Sequence, residues 1–153
     1  MLARSALLRH TSLMPLTYAV LAVLSVLVAG IIPAGSTEWY QRFPNFDTFL
    51  HVAGGFTIAW LLVAWFIRDL KQLHGPAVLI FLLGGTMLVG VGWEIAEYLS
   101  GHLFSDAPSG WQAFVWRYFH GGGLTDTLGD LIADAGGALG AAVLFLRLRR
   151  RNH

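Results

Sequence analysis

The chain contains no cysteine. Disulfides, thiolate metal sites and cysteine nucleophiles are therefore excluded. Charge is also scarce: Asp, Glu, Lys and Arg make up 12% of 153 residues, against about a quarter in an ordinary soluble domain. Several catalytic patterns are missing as well. There is no G-x-S-x-G, no Walker A loop, no Rossmann fingerprint and no H-E-x-x-H. No serine or threonine sits in a pattern that marks a nucleophile, and the Glu-x-x-His pairs of ferritin-like di-iron bundles are absent. A net charge of +1 gives no reason to expect a nucleic-acid partner.

What the chain has instead is apolar length. Hydrophobic residues are 56% of the total, and the mean hydropathy is +0.61. Four runs, about 15–32, 47–67, 76–99 and 125–146, each approach the ~20 residues a helix needs to cross ~30 Å of hydrocarbon. Lipid offers backbone groups no water, so each run is expected to be helical. The expected fold is all-α: a single integral membrane domain over 1–153, polytopic, built as a four-helix transmembrane bundle. The first run follows Arg4 and Arg9 and exceeds the usual apolar stretch of a signal peptide. It reads as a retained helix, with cleavage near PAGS (33–36) as the alternative.

Basic residues set the orientation. Arg4, Arg9, Arg68, Lys71, Arg147, Arg149, Arg150 and Arg151 all fall on one side of a four-span topology, and only Arg42 and Arg117 fall on the other. Cytoplasmic loops are enriched in Lys and Arg, so both termini are expected in the cytoplasm. The two outer segments are rich in Trp, Tyr and Phe, as at a membrane–water interface. WQAFVWRYF (111–119) reads as an aromatic belt or a short interfacial helix, and the glycines at 121–123 let the chain turn into the last span.

With that orientation, six of the nine acidic residues fall in the outer halves of three spans. Asp47 stands one turn from His51, Glu94 is three residues from Glu97, and Asp126, Asp130 and Asp134 repeat every four. Each set shares one helix face. A carboxylate near the bilayer centre costs about 2.5–3.5 kcal/mol on insertion scales, so these faces are expected to point into the bundle and meet. Small residues offer the means of close approach: Gly129, Ala133, Gly137 and Ala141 beside the aspartates, a Gly136/Gly140 pair, Gly54 and Gly55, and Gly90 and Gly92.

Singly, these acids have plain explanations. Asp126 suits the positive end of its helix with Thr125 as cap, Asp47 is similar, and a lone histidine is usually a packing residue. As a set they need neutralising, by protonation or by metal. An oxygen-rich site formed by Glu94, Glu97, Asp126, Asp130 and Asp134 suits Mg²⁺, Mn²⁺ or Ca²⁺ better than zinc. Asp134 has a protonated, hydrogen-bonding role as its alternative. His51, oriented by Asp47, is the candidate catalytic proton carrier.

The patterns Asp47-x-x-x-His51 with Gly55-Phe56, Trp93-Glu94-x-x-Glu97 and Asp126-x-x-x-Asp130 resemble the YjdF-type family of bacterial inner-membrane proteins, and more broadly the VanZ-like membrane proteins. The resemblance runs from about Asp47 to Gly140. It implies a compact helical protein of the bacterial inner membrane and groups Asp47, His51, Glu94, Glu97, Asp126 and Asp130 as a set, without naming a substrate. VanZ-like proteins are associated with glycopeptide resistance and envelope processes. This chain departs from them in having Asp134 where such a helix often has Asn.

Three functional readings follow. One is a metal-dependent enzyme acting on a membrane lipid or lipid-linked phosphate from the outer leaflet. A second is a proton- or cation-coupled transporter, for which four helices are few and a homodimer is expected. A third is a non-catalytic envelope protein whose acid cluster only holds its helices together.

Overall fold

The structure, a computed structural model, describes residues 16–28, 42–43, 45–103 and 123–151. Among these there are five helices and no strand: α1 is Leu16–Val28, α2 Phe46–Trp65, α3 the single turn Ile67–Leu70, α4 Gly75–Leu103 and α5 Leu124–Arg151. Three are long and apolar enough to cross a membrane: α2, the Gly75–Ser100 part of α4, and α5. α1 is apolar but shorter. The rest of the expected first span and the aromatic stretch 111–119 lie outside the described residues.

The outer surface is that of a membrane bundle. Ile80 on α4 is 73% exposed, Leu88 on α4 is 76% exposed and Ile132 on α5 is 73% exposed, all in mid-helix. Such apolar display along whole spans suits contact with lipid. The protein is an all-α, polytopic membrane bundle.

Between helices the same lipid removes most of the hydrophobic drive, so association rests on close packing. α5 packs chiefly on α2 and next on α4. Its buried face carries Ala133, Gly137, Ala138, Ala141 and Ala142 at helical spacing. Gly137 meets the backbone of α2 directly: a Cβ there would collide with the Val52 carbonyl and the Phe56 nitrogen. Gly55 repeats the contact from the other side, against the Asp134 backbone. Gly136 has nothing near its missing side chain, and Gly140 meets only the Phe56 ring edge, 3.7 Å away. The close seam therefore runs through Ala133–Gly137–Ala141, one of the two small-residue registers open in this helix, and not through the Gly136/Gly140 pair. Gly129 and Gly92 likewise face open space.

Helix ends follow local chemistry. α2 stops at Trp65 because Phe66 leaves helical geometry (φ −104, ψ 23), and the Phe66 ring packs edge-on against Phe81, 5.3 Å between centroids. α4 begins with the Ala77 amide donating to His74 Nδ1 at 3.1 Å. Pro76 falls in that first turn, where its missing N–H costs nothing. α5 is entered from Gly123, which holds φ +94 and whose carbonyl accepts the Thr127 amide at 3.0 Å. Thr125, expected as the cap, instead lies inside the first turn.

The half of the bundle away from the acids is apolar. Val63, Leu70, Val78, Leu82, Ala142 and Phe145 form its core. Below it, Arg149 Nη1 donates to the carbonyls of Leu70 (3.0 Å) and Leu73 (2.7 Å), tying the end of α5 to the turn after α3.

Candidate functional site

The acids gather at the opposite end, where α5 supplies one wall. Asp130 and Asp134, one turn apart, are both buried on it. Asp134 is fixed from two sides. Gly55 of α2 lies against its backbone, and a Cβ on Gly90 of α4 would come within 2.6 Å of its Oδ2. Gly90 thus makes room for the carboxyl group, and Gly55 for the backbone that carries it. Asp126, a turn nearer the helix start, is exposed.

α2 supplies the partner. The half-buried His51 presents Nδ1 to Asp134 Oδ1 at 3.4 Å and Nε2 to Asp130 Oδ2 at 3.7 Å. The imidazole bridges two successive turns of the α5 stripe. Asp47, one turn before it, completes a close group: one ligand atom each from Asp47, His51 and Asp130 all lie within 4.8 Å of one another.

α4 contributes differently. Glu97 Oε1 accepts a hydrogen bond from the Trp93 indole nitrogen at 2.8 Å. Glu94 is buried, and its Oε1 has no hydrogen-bond partner among the described residues. Thr86, deeper in the same helix, is 2% exposed and its hydroxyl oxygen also lacks a partner. Buried polar groups are nearly always paired, so these two are exceptions in α4.

A cleft of about 150 Å³ runs down from this site between α1, α2 and α4. Asp47, His51, Asp134 and Glu97 line its polar part. Its apolar wall includes Val23, Val26 and Leu27 of α1, with Leu50, Ile58 and Val89 opposite. Thr86 lies at the far end, about 16 Å along α4 from Glu97.

The structure thus brings together Asp47, His51, Asp130 and Asp134, and sets Glu97 on the same cleft. It does not draw Glu94, Glu97 or Asp126 into the tight trio, and it sets Asp134, rather than Asp47, within ion-pair distance of His51 Nδ1. Three contributions were not read from the sequence: the hydrogen bond of the Trp93 indole, although Trp93 stands in the Trp93-Glu94-x-x-Glu97 pattern, the α1 wall and Thr86. Trp93 was readable, standing one turn before Glu97 on the same face. Nothing in the α1 run marks it as a cleft wall. Arg117, one of the two basic residues expected on the outer side, lies outside the described residues.

Over residues 1–151 the chain matches the family described as predicted membrane protein (DUF2238), which is the YjdF-like family. It belongs to that family. Comparison with curated proteins and with solved structures returns no match to either. DUF2238 membership supports a membrane protein and assigns no reaction.

Proposed function

We propose that this DUF2238 protein binds one divalent cation through Asp47, His51 and Asp130, in the extracytoplasmic leaflet of a bacterial inner membrane, and hydrolyses a lipid-linked phosphate there. One observation carries the reading: two carboxylates and an imidazole from two helices offer ligand atoms within 4.8 Å of each other. Ligands at ~2.4 Å from a common ion can be at most about 4.8 Å apart, so the trio can close on one ion with little rearrangement. The oxygen-rich donor set favours Mg²⁺, Mn²⁺ or Ca²⁺ over zinc.

Such an ion neutralises the acids and acts as a Lewis acid toward a phosphoryl oxygen. The chain's own groups then divide the work. Asp134, immobilised between Gly55 and Gly90, holds His51 Nδ1 and leaves Nε2 on the Asp130 side. A carboxylate behind a ligating histidine fixes its tautomer and ring orientation. Glu97 lines the cleft with one oxygen engaged by Trp93, and is the group best set to move a proton. The roles differ from those suggested by spacing alone: His51 and Asp47 become ligands, and Asp134 becomes the positioning residue.

A second reading has an observation of its own. The His51 bridge and the Gly55 and Gly137 seams would hold α2 on α5 with no reaction at all. A conduit is less well supported, since the apolar core around Leu82 and Phe145 fills the other half of the bundle. The wider VanZ likeness adds nothing to either reading. The test is phosphate release from lipid phosphates by detergent-purified protein supplied with Mn²⁺, wild type beside His51→Gln and Asp130→Asn. Metal-dependent release that both variants lose supports the enzyme. Wild-type protein that takes up no metal, with variants that only unfold more easily, supports the structural reading.

A further inference from the structure

The cleft says more about what the site accepts than the trio does. Asp47 and His51 belong to both, so a group held at the trio sits at the mouth of the cleft. Further along α2 and α4 the wall turns apolar, at Ile58 and Val89, with Val23 and Val26 of α1 also lining the cleft. Among the described residues that line this lower part, two have polar side chains. Thr57 already donates its hydroxyl to the Gly54 carbonyl at 3.0 Å, and the Thr86 oxygen is sealed from the cleft's free space. The Trp93 indole is held by Glu97.

A glycerol-based lipid carries ester oxygens within a few bonds of its phosphate. Here they would enter an apolar wall whose one unengaged hydroxyl, that of Thr86, is buried out of reach, and an unpartnered buried oxygen is costly. A phosphate esterified directly to hydrocarbon meets no such cost. The size agrees. An apolar cavity of about 150 Å³ takes a benzene-sized group, which corresponds to about six carbons of one chain next to the phosphate. The remainder of the chain would lie in the surrounding lipid.

Resting on the metal-site reading above, we propose that the cleft is a hydrocarbon-chain subsite and that the substrate is a single-chain prenyl or alkyl phosphate monoester, not a glycerolipid phosphate. In the reaction a water oxygen bonds to phosphorus and the ester P–O bond breaks. The leaving oxygen takes a proton, giving a free long-chain alcohol and inorganic phosphate.

The test uses the full chain in detergent with Mn²⁺. Binding of farnesyl phosphate and of 1-oleoyl lysophosphatidate is compared by native mass spectrometry, and phosphate release is followed for both. Farnesyl phosphate is expected to bind on the order of tenfold tighter, about what one unpartnered buried ester oxygen costs. Val26→Trp, and separately Val89→Phe, narrow the cleft without touching the trio. Each is expected to lose farnesyl phosphate binding while keeping Mn²⁺ uptake. Equal binding of the two amphiphiles, or full farnesyl phosphate binding in both variants, overturns the chain subsite even if metal is bound. Failure of the wild type to take up Mn²⁺ overturns the metal site itself.

Discussion

Asp134 shows how much one carboxyl group asks of its surroundings. It is buried on α5 between two other helices, and both give up a side chain or offer a polar atom to seat it. Gly90 leaves out the Cβ that would meet the carboxyl oxygen, Gly55 leaves out one that would meet the Asp134 backbone, and His51 supplies the polar contact. Two predictions belong at this scale. Gly55→Ala sets a methyl group into the Asp134 backbone and is expected to destabilise the bundle by about 1–3 kcal/mol, read as a lowered unfolding temperature in detergent. Gly136→Ala, facing open space, is expected to be neutral or slightly stabilising in the same measurement. Asp134→Asn keeps the volume but weakens the hold on His51. It is expected to lower Mn²⁺ affinity about 10–100-fold, the usual effect of losing a partner behind a ligating histidine, while Asp134→Glu recovers part of it. Unchanged affinity would show that His51 needs no such support.

At the scale of the helix, the two ends of α5 do opposite things. Its first turns carry acids and its last turn carries Arg149, Arg150 and Arg151, both in the sense that the helix dipole favours. Arg149 goes beyond charge, because it closes two carbonyls left open where α3 ends. Arg149→Ala is expected to cost about 1–2 kcal/mol and to increase protease cutting in the 71–74 turn, whereas a charge effect alone would leave that turn protected. Much of this element structure was legible beforehand. The apolar runs located the spans, and a spacing of four located the aspartate stripe. The rotation of α5 about its own axis was not legible, because GGALG allows the seam to run through Gly136 and Gly140 or through Gly137. Burial of Asp130 and Asp134 decides it, since Gly137 shares their face. Once that phase is set, α2 presents His51 to the stripe and α4 presents Gly90. The grouping of Asp47 with Asp130, and the absence of Glu94 from that trio, depend on this three-dimensional phase and on no spacing within a single helix.

For the whole molecule, the division is between an acidic, cleft-bearing end and an apolar, arginine-latched end. The basic residues favour an orientation with both termini in the cytoplasm, which we propose here. Because the chain has no cysteine, single introduced thiols report it cleanly. Lys71→Cys is expected to react with a membrane-impermeant maleimide only after the cells are opened, and Leu124→Cys in intact spheroplasts; the reverse pattern would put the acids on the cytoplasmic side. The central claim, however, is that the acids form a site for a cation and not merely a brace. Calorimetric titration of metal-stripped, detergent-purified protein with Mn²⁺ tests it most directly, with His51→Gln and Asp130→Asn alongside and each variant first shown to be folded by circular dichroism. The account predicts one ion per wild-type chain and loss of binding in both variants. A folded wild-type protein that binds no ion, or variants that bind as it does, would contradict it.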